Sequence, residues 1–210
     1  MIKQIVAGLS VLTLAASANA SLITNGDFED GLNGWGATNT FGEGSVSIIE
    51  DSRDSNNHIA RLNDPSNFGG ELLWQTFYVP TDINNITVSF DYKFEEEDTS
   101  WFFTDRAAAH LLKLDENTFL AVDDLFHTTR DSNGWVSVSI VIDTASIYDH
   151  NPNAVIQFGI WESFSGSTDS SLFVDNISIV DTFASVPEPS SLMLLGLGLA
   201  GFSLSRKRKS

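Results

Sequence analysis

Polar and apolar residues alternate one by one in several segments between residues 21 and 181, and this period of two constrains the fold more than any other feature. The clearest runs are 88–94 and 136–142, and the segment 156–160 repeats the pattern. Because successive side chains of a β-strand point to opposite faces, each run predicts a strand with one buried face. Further strand candidates lie at 45–49, 58–62, 72–79, 109–114 and 171–180.

Turn-forming dipeptides separate these runs, and Gly and Asn within them tolerate positive φ while Pro fixes its own. They are Asn25-Gly26, Asn33-Gly34, Asp64-Pro65, Asn133-Gly134 and Asn151-Pro152. Only residues 104–112 form a weakly helical stretch, and no internal repeat is present. About eight to ten short strands with such turns predict an all-β protein, an antiparallel β-sandwich of the jelly-roll type.

The charges of the chain are unevenly distributed. All 28 acidic residues but only six of the eleven basic residues lie between residues 21 and 189, so this part carries a net charge of −22. Such a charge repels phosphate backbones and anionic lipids, which argues against nucleic acid as a partner. It favours solubility and the binding of divalent cations.

Several classes of chemistry find no support in the sequence. The chain has no cysteine, which excludes disulfides, cysteine nucleophiles and redox pairs. Its four histidines lack the spacing of zinc ligands, and no Gly-x-Ser-x-Gly segment marks a nucleophilic serine. Among 28 acidic residues, no particular pair of carboxylates stands out as the pair of a glycosidase. We therefore assign no catalytic residue.

The first twenty residues have the features of a secretory signal. Lys3 is followed by an uncharged and largely apolar run, and the segment closes with Ala18-Asn19-Ala20. A basic start, an apolar core of about 7–15 residues and small residues before the cleavage point are the marks of such a signal. We expect export and cleavage by signal peptidase before Ser21. The alternative is an N-terminal helix of the folded domain.

The C-terminal end combines three elements: a short motif, an apolar stretch and a basic tail. The motif is Val186, Pro187, Glu188, Pro189, and the tail is Arg206, Lys207, Arg208, Lys209. The uncharged stretch 189–205 has 17 residues and would be about 26 Å long as a helix, just enough to cross a hydrocarbon core about 30 Å thick. Because cationic flanks resist translocation, we expect the tail to stay cytoplasmic.

This order of elements resembles the PEP-CTERM sorting signal of Gram-negative bacteria. The resemblance implies recognition by a membrane-embedded exosortase and delivery to the cell surface or to an exopolysaccharide or biofilm matrix. A permanent tail anchor without processing is the alternative. We thus divide the chain into a signal peptide (1–20), a β-sandwich domain (21–185) and a sorting signal with a short transmembrane helix (186–210).

The two ends of the predicted domain carry a second resemblance. The domain opens with Asn25-Gly26-Asp27-Phe28-Glu29 followed by Gly34-Trp35, and it closes with Phe173-Val174-Asp175-Asn176-Ile177. This pairing is similar to the galactose-binding-like jelly roll of many carbohydrate-binding modules. It covers both ends of the domain and leaves the middle unmatched, and it implies the fold.

Asp175 is a carboxylate with the same parity as the apolar residues of the last predicted strand. Strict alternation places it on the buried face together with Phe173, Ile177 and Ile179. An ionised group there is costly unless it is paired or bound to a metal. The alternative is that Asp175 caps a turn or pairs with Arg61.

The second resemblance also implies a metal site. Jelly-roll modules of this type commonly hold a structural calcium between the first and last strands, and the matching positions here are Glu29, Asp175 and the backbone carbonyl of Asp27. Oxygen ligands suit Ca²⁺, which takes about six to eight of them. A third side chain is expected from the loop 51–57, and we assign Asp54.

An acidic and aromatic segment lies between two predicted strands. Residues 95–98 are acidic, and Trp101, Phe102 and Phe103 follow them. Sugar binding needs exposed aromatic faces beside carboxylates or amides, so Trp101 and Phe102 are predicted to bind glycan. Trp161 is the third candidate, because alternation places it on the opposite face of its strand from the apolar residues of 156–160. Core packing of these aromatic residues is the alternative.

Together these features predict a secreted, non-catalytic jelly-roll protein of the cell surface or matrix that binds glycan and calcium. The predicted partners are an exosortase, the signal peptidase and export machinery, and exopolysaccharide. A polysaccharide-cleaving enzyme that uses carboxylates is the alternative from another class. A structural or ice-associated surface protein is a third alternative; it requires regularly spaced Thr or Asn, and the predicted strands contain no such repeat.

Overall fold

A computed structural model describes residues 20–39, 44–64, 69–96, 105–115, 118–147, 151–162 and 170–182. The chain divides into two units, residues 20–184 and the two chain ends (1–19 and 185–210), and all described residues belong to the first unit. The predicted signal peptide up to Asn19, the transmembrane helix and the basic tail therefore lie outside the described residues.

Ten strands and one short 3-10 helix make up the described part of the chain. The strands are β1 Gly36–Asn39, β2 Ser45–Asp51, β3 Asp54–Asp64, β4 Gly69–Tyr78, β5 Asn85–Glu95, β6 Arg106–Asp115, β7 Thr118–Thr128, β8 Val136–Asp143, β9 Asn153–Glu162 and β10 Ser170–Asp181. The 3-10 helix, Thr144–Ser146, follows β8, and its N-cap is Asp143, whose side chain accepts from the amide of Ala145.

The ten strands form two five-stranded sheets. The front sheet has the order β1-β4-β9-β6-β7, and the back sheet has the order β2-β3-β10-β5-β8. All pairings are antiparallel, and most join strands that are distant in the sequence, such as β4 with β9 and β3 with β10. The prediction of an all-β antiparallel sandwich is confirmed.

The inner faces of the two sheets meet in one apolar core. Alternate residues of β5 and β9 point into it, so the strand predictions at 88–94 and 156–160 are confirmed. The rings of Phe90 in the back sheet and Phe158 in the front sheet meet edge to face, with centroids 5.1 Å apart. Aromatic pairs favour this geometry beyond the gain from burial alone.

The segment that precedes β1 packs against the last strand, so the opening motif and the closing motif of the domain lie side by side. The amide of Ile177 donates to the carbonyl of Gly26 (2.9 Å), and the amide of Leu22 donates to the carbonyl of Ile179 (2.7 Å). Phe28 is fully buried, and the indole N–H of Trp35 donates to the carbonyl of Asn25. The opening motif therefore closes one end of the core.

Residues 106–115 form a strand, so the weak helical prediction for 104–112 is wrong in the part that the structure describes. This segment is β6, a central strand of the front sheet between β9 and β7. Its alanines suggested a helix, but Ala107, Ala109 and Leu111 point into the core in strand alternation. Pairing with two neighbouring strands outweighs an intrinsic preference worth only a few tenths of a kcal/mol per residue.

Candidate functional site

A groove of about 300 Å³ lies on the outer face of the front sheet. Its lining consists of Thr38, Leu72, Trp74, Leu112, Val155 and Gln157. These residues come from β1, β4, β6 and β9, and strand register sets them side by side: Trp74 is the partner of Gln157, and Leu112 is the partner of Val155. None of the lining side chains carries a charge, so the groove suits a neutral ligand.

Trp74 is the exposed aromatic residue of the groove. Its side chain projects from β4 on the face opposite to Leu73 and Phe77, which point into the core, and it is 37% exposed. Across the sheet, Gly36 of β1 is its register partner. A β-carbon at Gly36 would overlap the indole ring, so the glycine lets the ring lie against the backbone of β1.

Trp161 lies on the same outer face as Trp74. A β-carbon at Gly159 would lie 2.5 Å from the indole of Trp161 and 2.8 Å from the side chain of Leu72. The missing side chain at position 159 therefore lets both groups cover β9. The guanidinium of Arg106, the register partner of Trp161 on β6, lies 5.0 Å from the indole centroid, a cation–π distance.

A polar group adjoins the indole of Trp161 on this face. The imidazole of His110 meets the indole edge to face, with centroids 6.1 Å apart. Its Nδ1 lies 2.8 Å from a carboxylate oxygen of Asp124 on β7. The outer face of the front sheet thus combines two indoles with amide, hydroxyl, imidazole and carboxylate groups.

Sequence reasoning found one of the two indoles. The off-parity of Trp161 in its strand is confirmed, because Ile156, Phe158 and Ile160 point into the core and Trp161 does not. Trp101 and Phe102, the other two aromatic candidates, lie outside the described residues. Trp74 was missed: both faces of β4 carry apolar and aromatic residues, so alternation alone does not tell which face is outward.

Asp175 is buried as predicted, but on the other face of its strand. The register of β10 against β5 shifts between Asp175 and Ser178, and Asn176 at this bulge has a φ of 52°. Before the bulge, Leu172 and Val174 point into the core; after it, Ile177 and Ile179 do. The extra residue inverts the alternation, so the predicted parity of Asp175 with Ile177 is wrong.

The carboxylate of Asp175 has two hydrogen-bond donors in the described structure. The side-chain amide of Asn57 donates to one oxygen (2.9 Å), and the backbone amide of Asn176 donates to the other (2.7 Å). Burial raises the pKa of the Asp175 carboxyl above its usual value, and these donors offset part of the effect. Among the described residues no ion pair joins Asp175 to Arg61, whose guanidinium donates to Ser171.

The other residues predicted to bind calcium have partners of their own. Glu29 accepts from the backbone amide of His58 and faces its Nδ1, both at 2.9 Å, and this contact lowers the pKa of Glu29 and raises that of His58. Asp54 accepts from Asn56. The described ranges contain no group of three or more His, Cys, Asp or Glu placed to hold a metal ion. Calcium binding therefore stays a prediction.

A second aromatic arrangement, which sequence reasoning missed, occurs on the outer face of the back sheet. Asp51 at the end of β2 is 4% exposed, and Arg53 in the following turn binds both of its oxygens. The same guanidinium lies 4.6 Å from the ring centroid of Trp135, which precedes β8. The Arg53 hydrogen bonds lower the pKa of Asp51. Arg53 thus links the β2–β3 turn to the segment before β8.

Known structures share this sandwich. The module TmCBM61, solved in complex with beta-1,4-galactotriose, is 13% identical with a TM-score of 0.50 over 77% of this chain and 99% of the module. The CBM22-1-CBM22-2 tandem domain of Paenibacillus barcinonensis Xyn10C is 17% identical with a TM-score of 0.51 over 80% of this chain and 52% of that one. The described domain is thus a jelly-roll β-sandwich like those of carbohydrate-binding modules.

A further structure with this fold is the enzymatically active domain of tailspike protein 4 of bacteriophage CBA120. It is 16% identical with a TM-score of 0.55, and the likeness covers 76% of this chain but only 21% of the tailspike chain. No curated protein matches the chain in sequence. At such identities the similarity is one of fold.

The C-terminal end is identified independently of the fold. Residues 185–209 match the family model of the PEP-CTERM protein-sorting motif, so the predicted sorting signal is confirmed. The motif implies an exported protein that is anchored in the membrane before release and processed by an exosortase. Within the described residues, no helix is long and apolar enough to span a membrane.

Proposed function

We propose that the exported domain is a non-catalytic glycan-binding module that holds a neutral saccharide in the groove of the front sheet. The observation that carries this proposal is the uncharged groove with Trp74 in its lining and Trp161 on the same face. Ligand sites of this kind are mostly apolar with a few placed polar groups that set orientation. Here Thr38 and Gln157 are the polar groups in the lining.

The chemistry of a pyranose ring matches this lining. Its C–H face packs on an indole, and its hydroxyls exchange hydrogen bonds with amide and hydroxyl groups. A groove of about 300 Å³ is at the lower end of small-ligand sites, about 300–1,000 Å³, so it holds a few sugar units rather than a whole chain. The sorting motif at 185–209 supports a ligand outside the cell, such as an exopolysaccharide.

The binding of saccharides to residues 20–184 tests the proposal. The panel for isothermal calorimetry and affinity electrophoresis contains beta-1,4-galactotriose, the ligand of TmCBM61, xylan and exopolysaccharide. We expect one panel member to bind, and Trp74→Ala to weaken that binding at least tenfold. Leu120→Ala, an exposed apolar position outside the groove lining, is the control and keeps the affinity.

Two outcomes contradict the proposal. One is the absence of binding across the panel by folded protein. The other is an equal loss of binding in Trp74→Ala and Leu120→Ala, which would place the site elsewhere. Trp101→Ala and Phe102→Ala test the acidic aromatic segment in the same assay, and these two positions remain proposed contacts of the glycan.

Calcium at Asp27, Glu29, Asp54 and Asp175 is a separate proposal. Its support is the buried carboxylate of Asp175, whose raised pKa reflects an anion that is costly to hold without a cation. To bind the ion, the Glu29 carboxylate would have to release the His58 imidazole with which it now shares a hydrogen bond. The role proposed for calcium is structural, and the glycan groove does not depend on it.

A further inference from the structure

Strand β8 forms one edge of the back sheet. It pairs with β5 on one side, and the described residues place no strand on its other side. Its register with β5 is unbroken over all eight residues, from Asn85 opposite Asp143 to Tyr92 opposite Val136. An edge of this kind presents a straight row of unpaired backbone N–H and C=O groups, which is a template for another strand.

The other three edge strands carry features that block such pairing. β2 ends in Glu50 and Asp51 with a register shift between them. β7 has two register shifts against β6 and exposes Asp123 and Asp124. β1 has only four residues. Bulges, charges and short length are the usual protections of sheet edges. β8 has no register shift and is eight residues long, and its one charged residue is Asp143 at its C-terminal end.

The side chains of β8 are also suited to contact with another polypeptide. From Val136 to Ile142 the strand has no charged residue, in a domain that carries 27 of the 28 acidic residues of the chain. Val141 is 59% exposed on the outer face. Val138 and Ile140 pack on the core from the inner face but stay only partly buried. Both faces of the strand therefore keep apolar surface that a neighbouring strand would cover.

We propose that β8 pairs antiparallel with β8 of a second copy of this chain, which joins two back sheets into one continuous sheet of ten strands. The second copy is the occupant because residues 136–142 of this edge are uncharged, whereas the rest of the domain is strongly anionic. A two-fold pairing centred on Ser139 keeps the Asp143 residues of the two copies at opposite ends of the strand pair, so the copies can approach without close like-charge contacts. A two-fold pairing of β8 with itself also closes the assembly. Pairing of β8 with β2 of another copy would be heterologous and would build a ring or an open filament, and the charged, shifted end of β2 disfavours it.

The predicted dimer is weak, because one strand pair is a small interface. Eight residues span about 26 Å at about 3.3 Å each, and interfaces below about 1,200 Å² in total are characteristic of transient complexes. Association is therefore expected at micromolar concentration and above, which a protein gathered at a surface reaches. The inference does not rest on glycan binding, although a dimer would carry two front grooves.

Sedimentation velocity of residues 20–184 over a concentration series tests this inference. This unit contains the whole described core, and it is studied beside Val141→Lys and a matched control, Leu120→Lys. Both variants place a lysine on an exposed apolar position of an edge strand, but Leu120 lies on β7 of the front sheet. We expect dimers for the wild type and for Leu120→Lys, and at least tenfold weaker association for Val141→Lys.

Two further measurements keep the test independent of folding defects. Hydrogen exchange is expected to show new protection at alternate amides of β8 as concentration rises, since one set already bonds β5. Added salt is expected to strengthen association because it screens the repulsion of two anionic domains. A wild type that stays monomeric to 1 mM, an equal effect of both lysines, or species larger than dimers would overturn the proposal.

Discussion

At the scale of single residues, Asp175 shows how a local irregularity sets the environment of a functional group. It is 1% exposed, and hydrogen bonds from the Asn57 side chain and the backbone amide of Asn176 offset part of the cost of burying its carboxylate. Because burial raises its pKa, the folded protein binds a proton at Asp175 more readily than the unfolded chain does. Stability from this group therefore falls as pH rises above the usual range of an aspartate.

The substitution Asp175→Asn is predicted to stabilise the domain near neutral pH in the presence of a chelator. The amide has nearly the same shape and removes the buried charge. Its NH2 group cannot accept the hydrogen bond that Asn57 now donates, but the Asn57 amide can turn over and accept from it. We therefore expect a net gain on the order of 1 kcal/mol in the free energy of unfolding. Urea denaturation at pH 7.5 and at pH 4 measures it, and the gain should be smaller at pH 4. A loss of stability at both pH values would contradict the argument.

The same variant tests the calcium proposal. Calcium chloride is expected to raise the Tm of the wild type more than sodium chloride of equal ionic strength, and Asp175→Asn should abolish the difference. Identical responses to the two salts in the wild type would reject a calcium site at these residues.

Gly159 is the residue whose missing side chain makes room for Trp161. The substitution Gly159→Ala places a methyl group 2.5 Å from the indole, and we predict a loss of roughly 1–3 kcal/mol, as is typical of overpacking. Displacement of the ring should also weaken glycan retention. Ser139→Ala, an exposed strand position on β8, is the control and should stay within about 0.5 kcal/mol of the wild type.

At the scale of elements, the β2–β3 turn depends on one ion pair. The hydrogen bonds from Arg53 lower the pKa of Asp51 below its usual value. A carboxyl with a depressed folded-state pKa contributes stability that is present above its unfolded pKa of 3.8 and is lost as pH falls through the folded value. The contribution belongs to neutral pH and disappears in acid.

We therefore predict that Arg53→Ala reduces stability by roughly 1 kcal/mol at pH 7, within the range for hydrogen bonds to charged groups when one partner is half exposed. The difference between variant and wild type should shrink as pH falls towards 3. Thermal denaturation at steps between pH 3 and pH 7 measures this difference. A gap that is independent of pH would mean that Arg53 acts through its packing on Trp135 and not through Asp51.

Element positions were predictable where strands have one clean inner face. β5, β8 and β9 alternate regularly and were found from the sequence. β6 was found only in part, as the strand candidate 109–114 beside a wrong helical prediction for 104–112, and β7 was missed. β6 carries alanines that favour a helix in isolation, and the two register shifts between β6 and β7 break the period on which recognition depends. β1 is only four residues long, too short for a period to show.

At the scale of the whole molecule, the charge of the exported part governs its solution behaviour. Its net charge is −22, and such self-repulsion destabilises a compact state and is screened by salt. We predict that the Tm of residues 20–184 rises when sodium chloride increases from 10 mM to 500 mM. A Tm that falls over this range would show that attractive pairs such as Asp51–Arg53 outweigh the net repulsion.

The candidate site, like the strands, could be predicted from the sequence only in part. Trp161 could be assigned to the outer face from its own strand, because three core residues of β9 set the parity. Trp74 could not, since its groove exists only where β1, β4, β6 and β9 lie side by side and where Gly36 leaves space for its ring. Gly36 and Trp74 are register partners that lie 38 residues apart in the sequence, and no local pattern reveals such a pairing.

The amino-acid sequence alone determined the sorting motif, the charge and the all-β class, because each depends on composition or on neighbours within a few residues. Only the tertiary structure decided which face Asp175 occupies, which indoles line a groove and which edge strand is unprotected. These three features depend on a bulge in β10 and on pairings between strands that are distant in the sequence. The contacts of such pairings form only when the chain is folded.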